Sequence, residues 1–72
     1  MKGSEKLEKF QISLAAARVN AEMTQEEVAK ALGVSKQTVV NWEKGRIKPG
    51  IPVVWTLAKL YGISTDHIFL PK

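Results

Sequence analysis

Apolar residues recur at helical spacing along most of this chain, and polar caps and glycines punctuate the runs. The pattern is densest between Thr24 and Lys48. Val28, Ala29 and Leu32 supply one apolar stripe. Thr24 and Glu27 have the spacing of a capping box, and Met23 and Val28 that of a hydrophobic staple over the same end. Gly33 falls where a helix needs a residue at positive φ. The spacing predicts a helix from about Gln25 to Leu32. The device then repeats: Ser35 is a good N-cap, Val34 and Val39 are placed for a second staple, and Gly45 closes a helix over 36–44. A gap of about three residues suits the steep crossing of a helix-turn-helix better than two helices lying flat.

The flanks extend the helical pattern. Phe10 and Ile12 are the first apolar anchors, and Ser13 is placed to cap a helix through about Asn20, with Leu14, Ala17 and Ala21 inward. A fourth helix opens at Gly50 or Ile51 with Pro52 in its first turn, where the missing N–H costs little. Ile51, Val54, Leu57, Ala58 and Tyr61 form its inward arc, and Gly62 is its stop. Ser64 then caps a last short helix from Thr65 to about Phe69, ended by Pro71, with Ile68 and Phe69 closing the bottom of the core. The expectation is an all-α domain of five short helices over residues 10–70, without strands, preceded by a flexible segment at 1–9. Val53, Trp55 and Leu60 lie outside the inward arc of the fourth helix. They fit either a wide core or a dimer surface.

The second helix of the pair has two chemically distinct sides. At about 100° per residue, Lys36, Gln37, Val40, Asn41 and Lys44 fall on one arc, while Val39, Trp42 and Glu43 fall opposite. Any surface helix can be polar outside, and a plain solvated face more often alternates Glu with Lys. Here the outer side carries amides and lysines. A Gln or Asn amide matches the N6 and N7 edge of adenine, lysine reaches guanine O6 and N7, and Val40 can meet a thymine methyl. Trp42, on the inner side, is expected to hold the fold and not to read DNA.

Composition adds limits. Seventy-two residues make one domain near the lower size for folding without a staple. With no cysteine, disulfides and Cys-based zinc are excluded, which fits a reducing compartment. No apolar run approaches a membrane span, and no signal-peptide core opens the chain. A cytoplasmic, nucleoid-associated protein without membrane contact is expected. The net charge is +4, with Lys36, Lys44, Arg46 and Lys48 gathered in the outer helix and the loop after it. Beside that helix, the loop fits phosphate contacts on a polyanion better than it fits a generic soluble loop. The one histidine, His67, adjoins the one aspartate, Asp66. No nucleophile motif, phosphate loop or metal-ligand spacing is present, so neither enzymatic activity nor a metal or cofactor is expected.

The stretch TQEEVAKALGVSKQTVVNWEKGRIKP resembles the helix-turn-helix family of phage repressors and Cro, of the xenobiotic-response-element type. The similarity runs from about Ser13 to Phe69. It rests jointly on the Thr-Gln opening, the central Gly, Trp-Glu-x-Gly and the Lys-Pro before the next helix. The family often has glycine just before the Met23 position, where this chain has Glu22. The resemblance implies a sequence-specific double-stranded DNA-binding regulator, a repressor, with helix 36–44 in the major groove. It places Lys36, Gln37 and Asn41 at base edges, with Val40 between them. It also implies that Gln25, in the first turn of its helix, anchors a phosphate. Ser35, Thr38, Lys44, Arg46, Lys48 and Arg18 are the other candidate backbone contacts. Arg18 is further implied to clamp Glu43, which alone would be costly to bury.

One short helix reads too few base pairs for useful specificity, so a homodimer on inverted half-sites is expected. The alternative is an antitoxin-like or other protein-interaction module on the same scaffold, with a regulatory protein as partner.

Overall fold

The computed structural model describes residues 11–70, so the expectations for residues 1–9, Phe10 and Pro71 lie outside the described residues. Four α-helices are present among them: α1 (Leu14–Asn20), α2 (Gln25–Leu32), α3 (Lys36–Lys44) and α4 (Ile51–Tyr61). Their N-termini follow local chemistry. Ser13 accepts from the Ala16 amide, Ser35 accepts from the Thr38 amide, and Thr24 with Glu27 completes a reciprocal capping box. Gly50 opens α4 without a side-chain cap, and Pro52 stands in its first turn.

All four helices end in the same pair of bonds. At the end of α1, Met23 N–H reaches back to the Arg18 carbonyl at 3.2 Å and Glu22 N–H to that of Val19 at 2.9 Å. The equivalent bonds close α2 through Gly33 and Val34, α3 through Gly45 and Arg46, and α4 through Gly62 and Ile63. Three of these left-handed positions are glycine; the fourth is Glu22, at φ 60°. The departure at Glu22 therefore leaves the turn geometry in register and puts a side chain where L residues are strained.

The expected fifth helix is not one. Thr65–His67 makes a single 3₁₀ turn, after which Ile68–Phe69 becomes a two-residue strand, β2, parallel to β1 at Ile12–Ser13. Ile12 pairs with Ile68 and Ser13 with Phe69. A five-residue helix has little intrinsic stability. The extended alternative buries Ile68 and pairs its backbone with a segment at the other end of the domain. The expectation of no strands is corrected with it.

The core is formed by Leu14 and Ala17 of α1, Val28 and Ala29 of α2, Val39 and Trp42 of α3, Leu57, Ala58 and Tyr61 of α4, and Ile68. Two expected core residues lie outside it. Ile51, at the first position of α4, is 74% exposed although Val53 and Val54 in the same turn are half-buried, and Phe69 is 52% exposed, because alternation along β2 buries Ile68 instead. Ala21, Leu32 and Val54 are half-buried at the edge of the core. Val53 and Leu60 also pack against its rim, whereas Trp55 is 66% exposed.

Candidate nucleic-acid interface

α3 packs chiefly on α2 and also touches α1. Val39 and Trp42 anchor its inner side, and Trp42 is only 6% exposed. That anchoring fixes which side faces outward. Lys36, Gln37 and Lys44 are exposed, while Thr38, Val40 and Asn41 are half-buried along the same helix. Arg46 and Lys48 are exposed in the loop that follows. The candidate base-edge residues thus share an outer face with basic side chains at one end of it.

Two contacts order this face. Gln37 Nε2 donates to Asn41 Oδ1 at 3.1 Å, one helical turn away. Lys36 Nζ lies 3.3 Å from Glu26 Oε2 on the first turn of α2. The hydrogen bond from Lys36 holds the Glu26 carboxyl below the usual carboxylate range. At the start of α3 the Ser35 and Thr38 hydroxyls lie 2.9 Å apart, and Ser35 also caps the helix.

Behind the face lies a three-residue clamp. Arg18 Nε donates to Glu43 Oε2 at 2.7 Å, and its terminal nitrogens donate to Glu43 Oε1 at 3.3 Å and to the Met23 carbonyl at 2.9 Å. Gln25 Nε2 donates to Glu43 Oε1 at 2.9 Å. Glu43, on α3, is therefore gripped by α1 and by the first residue of α2. The hydrogen bond to Glu43 raises the Arg18 pKa, so the guanidinium is cationic throughout. Tyr61 sits within reach of this charge pair, and burial, aided by the Glu43 charge, pushes its hydroxyl up to about 12.

The clamp engages two residues of the expected contact set, Gln25 and Arg18. Gln25 is a half-buried brace on Glu43, and its amide has a second N–H outside this bond. Arg18 spends donors on Glu43 and Met23, and its side chain is mostly buried. The sequence reading missed the bonds of Glu26, of Gln25 and of the Gln37–Asn41 pair. Only the last had a local signal, an amide pair at i and i+4.

A helix pair joined by the short turn at 33–35, with a buried inner side and an amide-bearing outer side, defines a helix-turn-helix domain. A family model described as helix-turn-helix matches residues 14–68, and the chain belongs to that family, of the phage repressor and Cro type. It is similar to an uncharacterised HTH-type transcriptional regulator of Methanocaldococcus jannaschii, with 42% identity over 48 residues, 67% of this chain and 73% of that protein. An uncharacterised HTH-type transcriptional regulator of Archaeoglobus fulgidus shares 36% identity over 53 residues, 74% of this chain and 75% of that one. The cryptic phage CTXphi transcriptional repressor RstR of Vibrio cholerae is 41% identical over 51 residues, 71% of this chain but 46% of the repressor. No solved structure matches the chain at a significant level. No described helix is long and apolar enough to cross a membrane.

Proposed function

We propose that this chain regulates transcription as a sequence-specific double-stranded DNA-binding protein, acting as a repressor, with α3 inserted in the major groove. The observation that carries this reading is the outer side of α3, where Lys36, Gln37 and Asn41 stand together opposite Val39 and Trp42. These side chains match base edges, and Val40 between them suits a thymine methyl. Lys44, Arg46 and Lys48 supply charge for the backbone, with Ser35, Thr38 and the spare donors of Gln25 and Arg18 as lesser phosphate contacts. The names of the relatives, a phage repressor among them, support the same role.

The working form is a homodimer in the cytoplasm, associated with the nucleoid, on inverted half-sites about 34 Å apart. Each copy contributes the domain at 10–70. Exposed Ile51 and Trp55, one turn apart on α4, are the candidate contact, so Trp55→Glu should reduce cooperative binding to a full site and leave the fold intact.

Selection from a random DNA pool tests the reading. A defined inverted site should emerge, and Gln37→Ala should cost about 1–3 kcal/mol on it while relaxing one base position per half-site. Lys48→Ala should weaken all sequences alike and lower the salt slope by about one. If no site emerges, the exposed apolar residues of α4 favour the second reading, an antitoxin-like protein-interaction module.

A further inference from the structure

We propose that Glu26 is a specificity-determining residue that acts through Lys36, holding its ammonium at the base edge and away from the phosphates. The inference rests on the DNA-reading role proposed above for Lys36. Its basis is the 3.3 Å contact between Glu26 Oε2 and Lys36 Nζ, which joins the first turns of α2 and α3 across the turn.

The other acids of α2 and α3 are committed elsewhere. Glu27 accepts from the Thr24 amide at 2.8 Å, and Glu43 accepts from Arg18 and Gln25. Glu26 is the carboxylate of α2 left to face α3. The first turn of α3 has no acidic residue of its own, so Lys36 sits against the positive end of its helix. Glu26 offsets that placement and gives the flexible lysine a preferred direction.

The consequence for DNA follows from donor counting. An ammonium has three donors. At a guanine it can keep one on Glu26 and direct the others to O6 and N7. On unrelated DNA the favourable alternative is to swing to a phosphate, and Glu26 competes with that phosphate for the same cation. Any general repulsion between the carboxylate and DNA weakens both complexes alike and cancels in the ratio of affinities. What does not cancel is the loss of Lys36 as a sequence-blind phosphate contact. Glu26 therefore raises specificity by lowering affinity for wrong sites.

The test compares the full chain with Glu26→Gln, Lys36→Ala and the double variant, on the selected duplex and a scrambled duplex of equal length, at low and physiological salt. Glu26→Gln should tighten binding to the scrambled duplex about two- to fivefold at low salt, the range expected of an exposed ion pair, and tighten the selected duplex less. The specificity ratio should fall, the fall should shrink with salt, and it should vanish when Lys36 is alanine. Sites reselected with Glu26→Gln should relax only at the base pair that Lys36 reads. An unchanged ratio overturns the proposal, as does an equal fall in the Lys36→Ala background. If the unaltered chain prefers no duplex, the DNA-reading proposal itself fails and this one falls with it.

Discussion

Arg18 and Glu43 lie 25 residues apart in the chain and meet at 2.7 Å, tying α1 to the C-terminal end of α3. Gln25 completes the site from α2, so one carboxylate fixes the relative placement of all three helices. Glu43→Gln keeps the shape and leaves a mostly buried guanidinium without its counter-ion. It should destabilise the domain by about 3 kcal/mol, the lower end for breaking a buried pair, since Arg18 keeps the Met23 carbonyl. Replacing both partners, Arg18→Met with Glu43→Leu, should recover much of that loss. Urea unfolding of the three variants measures both effects, and a double variant no better than Glu43→Gln would contradict this account.

Glu22 and Gly33 occupy equivalent left-handed positions at the ends of α1 and α2, with φ of 60° and 72°. A Cβ on Gly33 would meet nothing within 4 Å, so only backbone strain opposes one there. Gly33→Ala should then cost about 1–2 kcal/mol, and Glu22→Gly should gain up to about 1 kcal/mol. Opposite shifts in thermal midpoint are the expected result. Shifts of the same sign would mean that the Glu22 side chain contributes something its conformation does not reveal.

Most of the fold was legible because its signals are local. Thr24 with Glu27, Ser35, Gly33, Gly45 and Gly62 mark helix ends by spacing alone, and they define α2, α3 and α4 nearly to the residue. The β1–β2 pair was not legible. Two residues cannot show alternation, and Ile12 finds Ile68 only through the folded chain. The same distinction divides the candidate site. The outer face of α3 follows from periodicity within one helix, whereas the Glu26–Lys36 contact depends on how two helices meet. Ile51 shows the converse error: its spacing is right for the inward arc, but at the first position of α4 it is left exposed while Val54 is half-buried against the core.

Tyr61 makes stability depend on alkaline pH. Its hydroxyl is raised from 10.0 to about 12 in the folded chain, first by burial and then by Glu43. Below pH 10 it is neutral in both states and the folded chain bears no penalty. As pH rises from 10 towards 12 the unfolded chain loses this proton first, so stability falls across that window and the contribution is lost above it. The informative quantity is the difference from Tyr61→Phe, which isolates this hydroxyl from every other alkaline effect. That variant should lose less stability between pH 9 and pH 11 than the unaltered chain. Parallel pH profiles would show that the hydroxyl ionises as freely folded as unfolded.

Gln37 and Asn41 should read DNA as a unit. With Nε2 donating to Asn41 Oδ1 at 3.1 Å, the Gln37 amide is oriented before it meets a base, leaving its carbonyl oxygen and second N–H to face outward. Those two groups match the N6 donor and N7 acceptor of adenine. Ordering the side chain in the free protein reduces the entropy lost on binding. Asn41→Ala should therefore weaken more than its own contact: it should relax preference at the base that Gln37 reads. In a double-mutant cycle on the selected duplex, the Gln37→Ala and Asn41→Ala losses should be non-additive by about 0.5–3 kcal/mol, with the double variant weaker than wild type by less than the two single losses combined. On scrambled DNA the coupling should vanish, because phosphate attraction dominates there and is blind to amide orientation. Additive losses on the selected duplex would mean that each amide finds its own base independently, and the 3.1 Å bond would then be a feature of the free helix alone.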